Sequence, residues 1–428
     1  MAMNEEFLTH IWKYGLFNRT SLFSDTGEKI EVITLGEHNT DAGPDFINAK
    51  IRIGNTLWAG NVELHQNASD WKKHRHQSDR AYDNVILHVV LKADQPATRT
   101  NGTIIPTVEL KFDPRLYYNY IFLIGNRSWL ACYNHLATID QLLLHSWLSS
   151  MLVERLESKV KTIEALLAHY RNNWEAVFYV QLARSFGFHL NAGPFELVAQ
   201  SLPLAILLRH KDNLFQLEAL LFGQAGFLGG AEKDEYALQL KAEYDHLRNK
   251  YRLAPIDRHL WKYMRLRPVN FPTVRLAQFA VLVSRFPGLF RRIIETGDTA
   301  SLIRLFYVLP STYWDTHYKF GTVSGRLKKA LGEDASRSLL INTVIPLVFL
   351  YGHKRGDDRL KARAIEFLSQ LPPEKNAVIR RWEQAGVKAG SALDTQALLH
   401  VRSAYCQKKR CLRCVVGSRI VTGQGLRL

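Results

Sequence analysis

Asp45, Glu63 and His65 are the residues whose types and spacing could bring chemistry to one point. Gly43-Pro44-Asp45 opens an alternating stretch over 46–53, and Val62-Glu63-Leu64-His65 lies in a second, 56–66, with Gly54-Asn55 between them. That pattern predicts a β-hairpin. A three-residue loop of Ile53, Gly54 and Asn55 pairs Arg52 with Thr56 and sets Asp45 opposite Glu63. A two-residue turn shifts the register by one and puts the two acids on opposite faces. In the first register the carboxylates suit Mg²⁺ or Mn²⁺, hard cations that prefer oxygen ligands. His65 lies two residues beyond Glu63, hence on the same strand face, as a base for an attacking water or as a further ligand.

The second constellation is sulfur. Cys406, Cys411 and Cys414 fall within nine residues, and the remaining cysteine, Cys132, lies far upstream. In a chain without a leader-like N-terminus, such clustering points to metal rather than disulfide. Four thiolates suit tetrahedral zinc or a [4Fe–4S] cluster. His135 or His400 stand by as substitute ligands. Histidines are also dense at His38, His65, His74, His76 and His88, where a transition-metal cluster is conceivable although the spacing matches no recognised ligand set; His88, inside an apolar run, reads as a core residue.

The elements that must position these groups divide the chain. Residues 1–125 read as α+β: a helix over 4–14 capped by Asn4, strands at 29–35, 46–53, 56–66, 84–91 and 104–112, and a helix over 69–82 capped by Ser69 or Asp70. Residues 126–390 are helical, with apolar residues at helical spacing over 142–168, 172–186, 213–223, 235–251, 274–285, 299–309, 339–351 and 359–370. Residues 391–428 form a basic, cysteine-bearing segment, which Asp394 opens as a cap and Cys132 could tie to the N-terminal domain. The expected fold class is an α+β N-terminal domain with a mixed sheet and flanking helices, followed by a large all-α region.

The net charge of +16 points to a polyanionic partner, nucleic acid first. From Val401 onward there are seven basic residues and no acid: Arg402, Lys408, Lys409, Arg410, Arg413, Arg419 and Arg427. Lys408, Lys409, Arg410 and Arg413 are the candidate phosphate contacts. No charged leader with an apolar run is present, and the longest apolar stretch, 343–351, is short and carries a proline. A cytoplasmic protein with no membrane partner is expected; the oligomeric state is open. There is no phosphate loop, dinucleotide fingerprint or Gly-X-Ser-X-Gly elbow.

The Pro-Asp and Glu-X-His pair, on successive strands after a helix, resembles the PD-(D/E)XK nuclease superfamily, where lysine stands in the place of His65. That resemblance implies a restriction-endonuclease-like sheet and catalytic roles for Asp45, Glu63 and His65. An extra acid on the first helix, Glu6 or its neighbour Glu5, and a Gln/Tyr pair, Gln77 and Tyr82, would support them. A subset of RecB-type relatives also carries one distant and three C-terminal cysteines around an iron–sulfur cluster. Across nearly its whole length the chain resembles an uncharacterised family, domain of unknown function 2851. The stretches carrying that likeness are 7–14, 39–46, 58–65, 82–90 and the terminal cysteine segment. The expected function is a metal-dependent nuclease acting on DNA or RNA. The alternatives are an inactive nuclease-fold nucleic-acid-binding protein, favoured by the missing lysine, and a helical protein-interaction scaffold.

Overall fold

The computed structural model describes residues 4–229 and 234–423. They form two compact units. One takes Met1–Trp147, Arg381–Val387 and His400–Leu428; the other takes Leu148–Arg380 and Lys388–Leu399.

The first unit opens with α1 (Glu5–Lys13). The Asn4 side chain accepts from the Phe7 N–H, and Glu5 and Glu6 occupy the first turn, where the helix dipole favours acids. Phe7, Leu8, Ile11 and Trp12 are fully buried, and the Trp12 indole donates to the Leu35 carbonyl at 3.1 Å. There follow β1 (Ile30–Thr34), β2 (Glu37–His38), β3 (Phe46–Ile53), β4 (Thr56–Asn67), α2 (Asp70–Lys73), β5 (Val85–Lys92), β6 (Ala97–Thr98), β7 (Ile104–Ile105), β8 (Thr107–Glu109) and α3 (Pro114–Gly125). The main sheet has the order β1-β3-β4-β5-β8, with β2 also on β3. Its β1–β3 and β3–β4 pairs are antiparallel, whereas β4–β5 and β5–β8 are parallel. The expected architecture, a mixed sheet with flanking helices and then a large helical region, is present.

The hairpin differs from expectation in a way that matters for the acids. Ile53 pairs with Thr56, so the turn is the two-residue Gly54-Asn55 and not a three-residue loop. Taken alone, that turn separates Asp45 from Glu63. A β-bulge between Phe46 and Ala49 inserts one extra residue on β3, with Asn48 at φ 59, and shifts the register back. Phe46 then faces Val62, and Asp45 and Glu63 come into register at the end of the ladder. The same bulge brings Lys50 onto the face of the acids, but Lys50 pairs with Ala59, further along the ladder, and is exposed.

Long β4 changes partner along its length, leaving β3 at Val62 and running beside β5 from Asn61 to Asn67. Gly60 permits the crossing, because a Cβ there would lie 2.4 Å from Ile86 Cγ2 and 2.6 Å from the Asn84 carbonyl.

Two further expectations are corrected. The helix over 69–82 breaks after one turn at Arg75, φ 62, and continues as 3₁₀ turns His76–Ser78 and Arg80–Tyr82. Ser69 makes no side-chain cap; the Asp70 carboxylate instead accepts from the Asn67 N–H. The strand at 104–112 splits at Pro106, which has no N–H to donate, and its halves join different sheets.

The second unit is helical, with Trp174–Phe186, Leu214–Gln224, Glu235–Tyr251, Pro272–Arg285 and Asp358–Gln370 among its helices. Asn173, Asn213 and Asp234 cap three of them. Glu333–Arg355, a continuous helix with a π turn at Leu340–Val344, is long and apolar enough to cross a membrane and is mostly buried within the structure. Asp394 does not open its helix. Its carboxylate accepts from the Gly390 and Ser391 N–H groups, and the helix Ala392–His400 has already begun.

Candidate functional site

Asp45 is delivered by a tight loop. The Asn39 amide donates to the Pro44 carbonyl at 3.0 Å, its backbone N–H donates to the Asp45 carbonyl at 2.8 Å, and Gly43 takes φ 109. The two acids are then cross-tied: the Asp45 N–H donates to Glu63 Oε2, and the Leu64 N–H donates to Asp45 Oδ2, both at 3.0 Å. Among the described residues neither carboxylate is paired with lysine or arginine; the ion-pair contacts of Glu63 are to His65 and His76.

Burial is the first cause of raised proton affinity at both. It pushes Glu63 up to about 9, helped by the Asp45 carboxylate, and Asp45 up to about 6, where the Leu64 N–H opposes it and Glu5 adds to it. A buried acid pair with no basic counter-charge has the donor chemistry of a divalent cation site, so the residues fit the Mg²⁺ or Mn²⁺ that the motif implies.

The third acid is Glu5. Its field reaches both carboxylates, whereas Glu6 turns to Arg413, Nε–Oε1 3.5 Å, on the cysteine segment. Glu6 is therefore removed from the site, since residues adjacent on a helix face different directions.

His65 is 1% exposed, and both ring nitrogens are engaged: Nδ1 with His88 Nε2 at 2.9 Å and Nε2 with His74 Nδ1 at 3.0 Å. A ring so held is a ligand or a positioning group and not a free base. Burial, then the neighbouring imidazoles, holds His65 down to about 3; burial likewise lowers His76 to about 4 and His88 to about 3. These rings are neutral and keep their lone pairs. Glu63 Oε1 lies 3.5 Å from His76 Nε2 and 3.7 Å from His65 Nε2. His88 is fully buried as expected, but among the described residues its Nδ1 has no partner.

Tyr82 stacks on His76 at 3.7 Å between ring centroids, and burial, followed by the Glu63 charge, pushes its hydroxyl up to about 12. Gln77 lies on the same turn as His76, with its Oε1 buried and without a partner among the described residues. His74 and His76 stood out in the sequence only as part of a dense run of histidines, because a continuous helix would splay residues two apart.

The family model described as "Protein of unknown function (DUF2851)" matches residues 5–377. The chain belongs to that family. No curated protein and no solved structure matches it.

In this DUF2851 chain, the four cysteines line one cavity of about 520 Å³, together with Arg127, Trp129, Arg402 and Lys409. Burial first, then mutual proximity, pushes Cys132 up to about 12, and burial pushes Cys406 up to about 11. Burial also raises the Cys411 and Cys414 thiols above the usual thiol range. Such thiols are inert on their own and become ligands when a cation compensates their charge. Four thiols lining one cavity have the donor chemistry of zinc or of an iron–sulfur cluster.

The segment that carries three of the cysteines packs within its own unit, the His10 ring meeting the Leu412 backbone and the Asn119 amide donating to the Ile420 and Val421 carbonyls. Lys408, Lys409, Arg410 and Arg413 are exposed, although Lys409 donates to the Asn126 carbonyl. Arg427 lies outside the described residues.

Proposed function

We propose that this protein is a metal-dependent phosphodiester hydrolase of nuclease type, acting on DNA or RNA and related to the PD-(D/E)XK enzymes. The observation that carries the reading is the bulge-corrected register that joins Asp45 and Glu63 across β3 and β4. The strand order, with β4 antiparallel to β3 and parallel to β5, and the field of Glu5 from α1 support it. Asp45 and Glu63 hold the metal. Mg²⁺ or Mn²⁺, when bound, polarises the phosphodiester and lowers the pKa of water. His65 stands where the superfamily has lysine; as a neutral ring it orients its neighbours and supplies no positive charge. Tyr82 lies within the field of both acids, with Gln77 on the turn that carries His76, and Lys408, Arg410 and Arg413 present charge to the phosphate backbone without reading sequence. Cys132, Cys406, Cys411 and Cys414 hold a [4Fe–4S] cluster or a zinc ion that fastens the last helix to α1 and α3.

The test is cleavage of labelled single- and double-stranded DNA and RNA by full-length protein with Mn²⁺. Wild type cuts, and Asp45→Ala reduces cutting by at least about two orders of magnitude while keeping its circular dichroism. Cutting that survives Asp45→Ala removes this site. A second reading, a nuclease-fold nucleic-acid-binding protein without catalysis, is favoured by His65 in the lysine position. It requires binding that weakens steeply with salt and no cleavage with any divalent ion.

A further inference from the structure

The histidines beside the acid pair do more than fill the sheet face. We infer that His65, His74 and His76, with Glu63 against them, form a binding site for one divalent first-row transition metal of the Zn²⁺ or Fe²⁺ kind. In this site, imidazole nitrogen replaces the all-oxygen shell suited to Mg²⁺. The inference does not require phosphodiester hydrolysis.

Geometry carries it. One ligand atom from each of His65, His74 and His76 lies within 4.8 Å of the other two. His65 Nε2 and His74 Nδ1 are 3.0 Å apart. His76 is 8% exposed, and among the described residues its Nε2 has no hydrogen-bond partner; Glu63 Oε1 is 3.5 Å away, too far for a good bond. That same oxygen lies 3.7 Å from His65 Nε2, so one carboxylate faces two of the three rings.

An unpartnered nitrogen buried among other imidazoles is costly to keep unless something accepts its lone pair. The surrounding contacts match what histidine ligands need. A donor–acceptor contact at the far nitrogen fixes ring and tautomer, and His65 Nδ1 has His88 Nε2 at 2.9 Å for that purpose. His65, His76 and His88 pack against Trp71, which is fully buried and pinned by its indole N–H to the Thr98 carbonyl at 2.9 Å. His74 is exposed, which gives the site an opening to solvent. Imidazole donors select Zn²⁺, Fe²⁺, Ni²⁺ or Cu²⁺ over Mg²⁺ and Ca²⁺, and a three-histidine set with one carboxylate alongside is well suited to that class.

The broken helix is what makes the site. Arg75 at φ 62 reverses the chain between His74 and His76, so two residues that would splay apart on a helix converge on the same strand residue.

Co²⁺ is the probe, titrated into full-length protein freed of divalent metal and followed by its visible d–d absorption. Wild type is expected to take up Co²⁺ on nitrogen and oxygen, giving d–d bands that Zn²⁺ displaces and Mg²⁺ in large excess does not. Cobalt on the cysteines is told apart by intense sulfur-to-metal charge transfer in the near ultraviolet. His74→Ala, at an exposed position that leaves the core intact, should weaken the nitrogen-bound signal at least about tenfold, and His76→Gln should do the same. Asp45→Asn should keep the bands even where it abolishes Mn²⁺-dependent cutting, so loss of nuclease activity and loss of this site are distinguishable. If His74→Ala and His76→Gln bind Co²⁺ as wild type does, or if all visible cobalt sits on sulfur, the trio is a structural hydrogen-bonded cluster and the inference is overturned.

Discussion

Glu63→Gln is expected to abolish metal-dependent cleavage and, in the same protein, to raise the melting temperature of the metal-free form. The two effects share one cause. Folding buries the Glu63 carboxyl beside Asp45 and pushes its proton affinity up to about 9, against an ordinary value of 4.5. Between those values the folded state holds a proton that the unfolded state has released, so stability falls as pH rises.

Glutamine carries no such proton. Its carbonyl can still accept from the Asp45 N–H, and its amide can donate toward His76 Nε2, which has no partner among the described residues. The stabilisation is therefore near zero below pH 4.5 and grows toward pH 9, reaching several degrees at neutral pH. Mn²⁺ should stabilise the wild type and have little effect on the variant, since ligands that bind only the folded state raise its stability. Melting curves at several pH values with and without Mn²⁺ read all of this. A difference that stays flat with pH, or a variant that still cuts, defeats the account of a buried carboxylate held for a cation.

Cys414→Ser is expected to empty the thiol site and loosen the end of the chain. Cys414 is buried, shares its cavity with the other three cysteines and lies immediately before the helix Val415–Thr422, which contacts α3 through Asn119. Protein purified without oxygen should carry iron and labile sulfide with a brown colour, and the variant should lose both. Limited proteolysis should then cut within 400–423 at least about ten times faster, because local opening governs such cleavage. Colourless wild-type protein carrying zinc would keep the four-thiol site and replace the cluster. Wild-type protein with neither metal would remove the site.

The long helices were legible because their apolar spacing continues for many turns: Glu235–Tyr251 falls where its periodicity ends, and Asn173 and Asn213 cap as their side chains require. The acid pair was legible only through two features that cancel. Sequence reasoning reached the right facing residues through a three-residue loop, while the chain uses a two-residue turn and an extra residue near Asn48. A bulge leaves almost no pattern, since it is one left-handed residue inside an otherwise ordinary alternation. The histidine trio was legible only as a local density of histidine, with no ligand spacing, for a related reason. Its convergence depends on the left-handed backbone of Arg75, and arginine carries no preference for that conformation. Glu5 against Glu6 was undecidable before the helix was seen against Arg413.

The unit that holds the sheet is assembled from both ends of the chain, Met1–Trp147 and His400–Leu428, with more than two hundred residues of helical unit between them. During synthesis, α1 and the sheet leave the ribosome long before the residues that cover them, so His10 and Glu6 wait for Leu412 and Arg413. The four-thiol cavity thus joins Cys132 to residues more than two hundred positions downstream, and a chain cut between Cys132 and Cys406 would leave its lining incomplete.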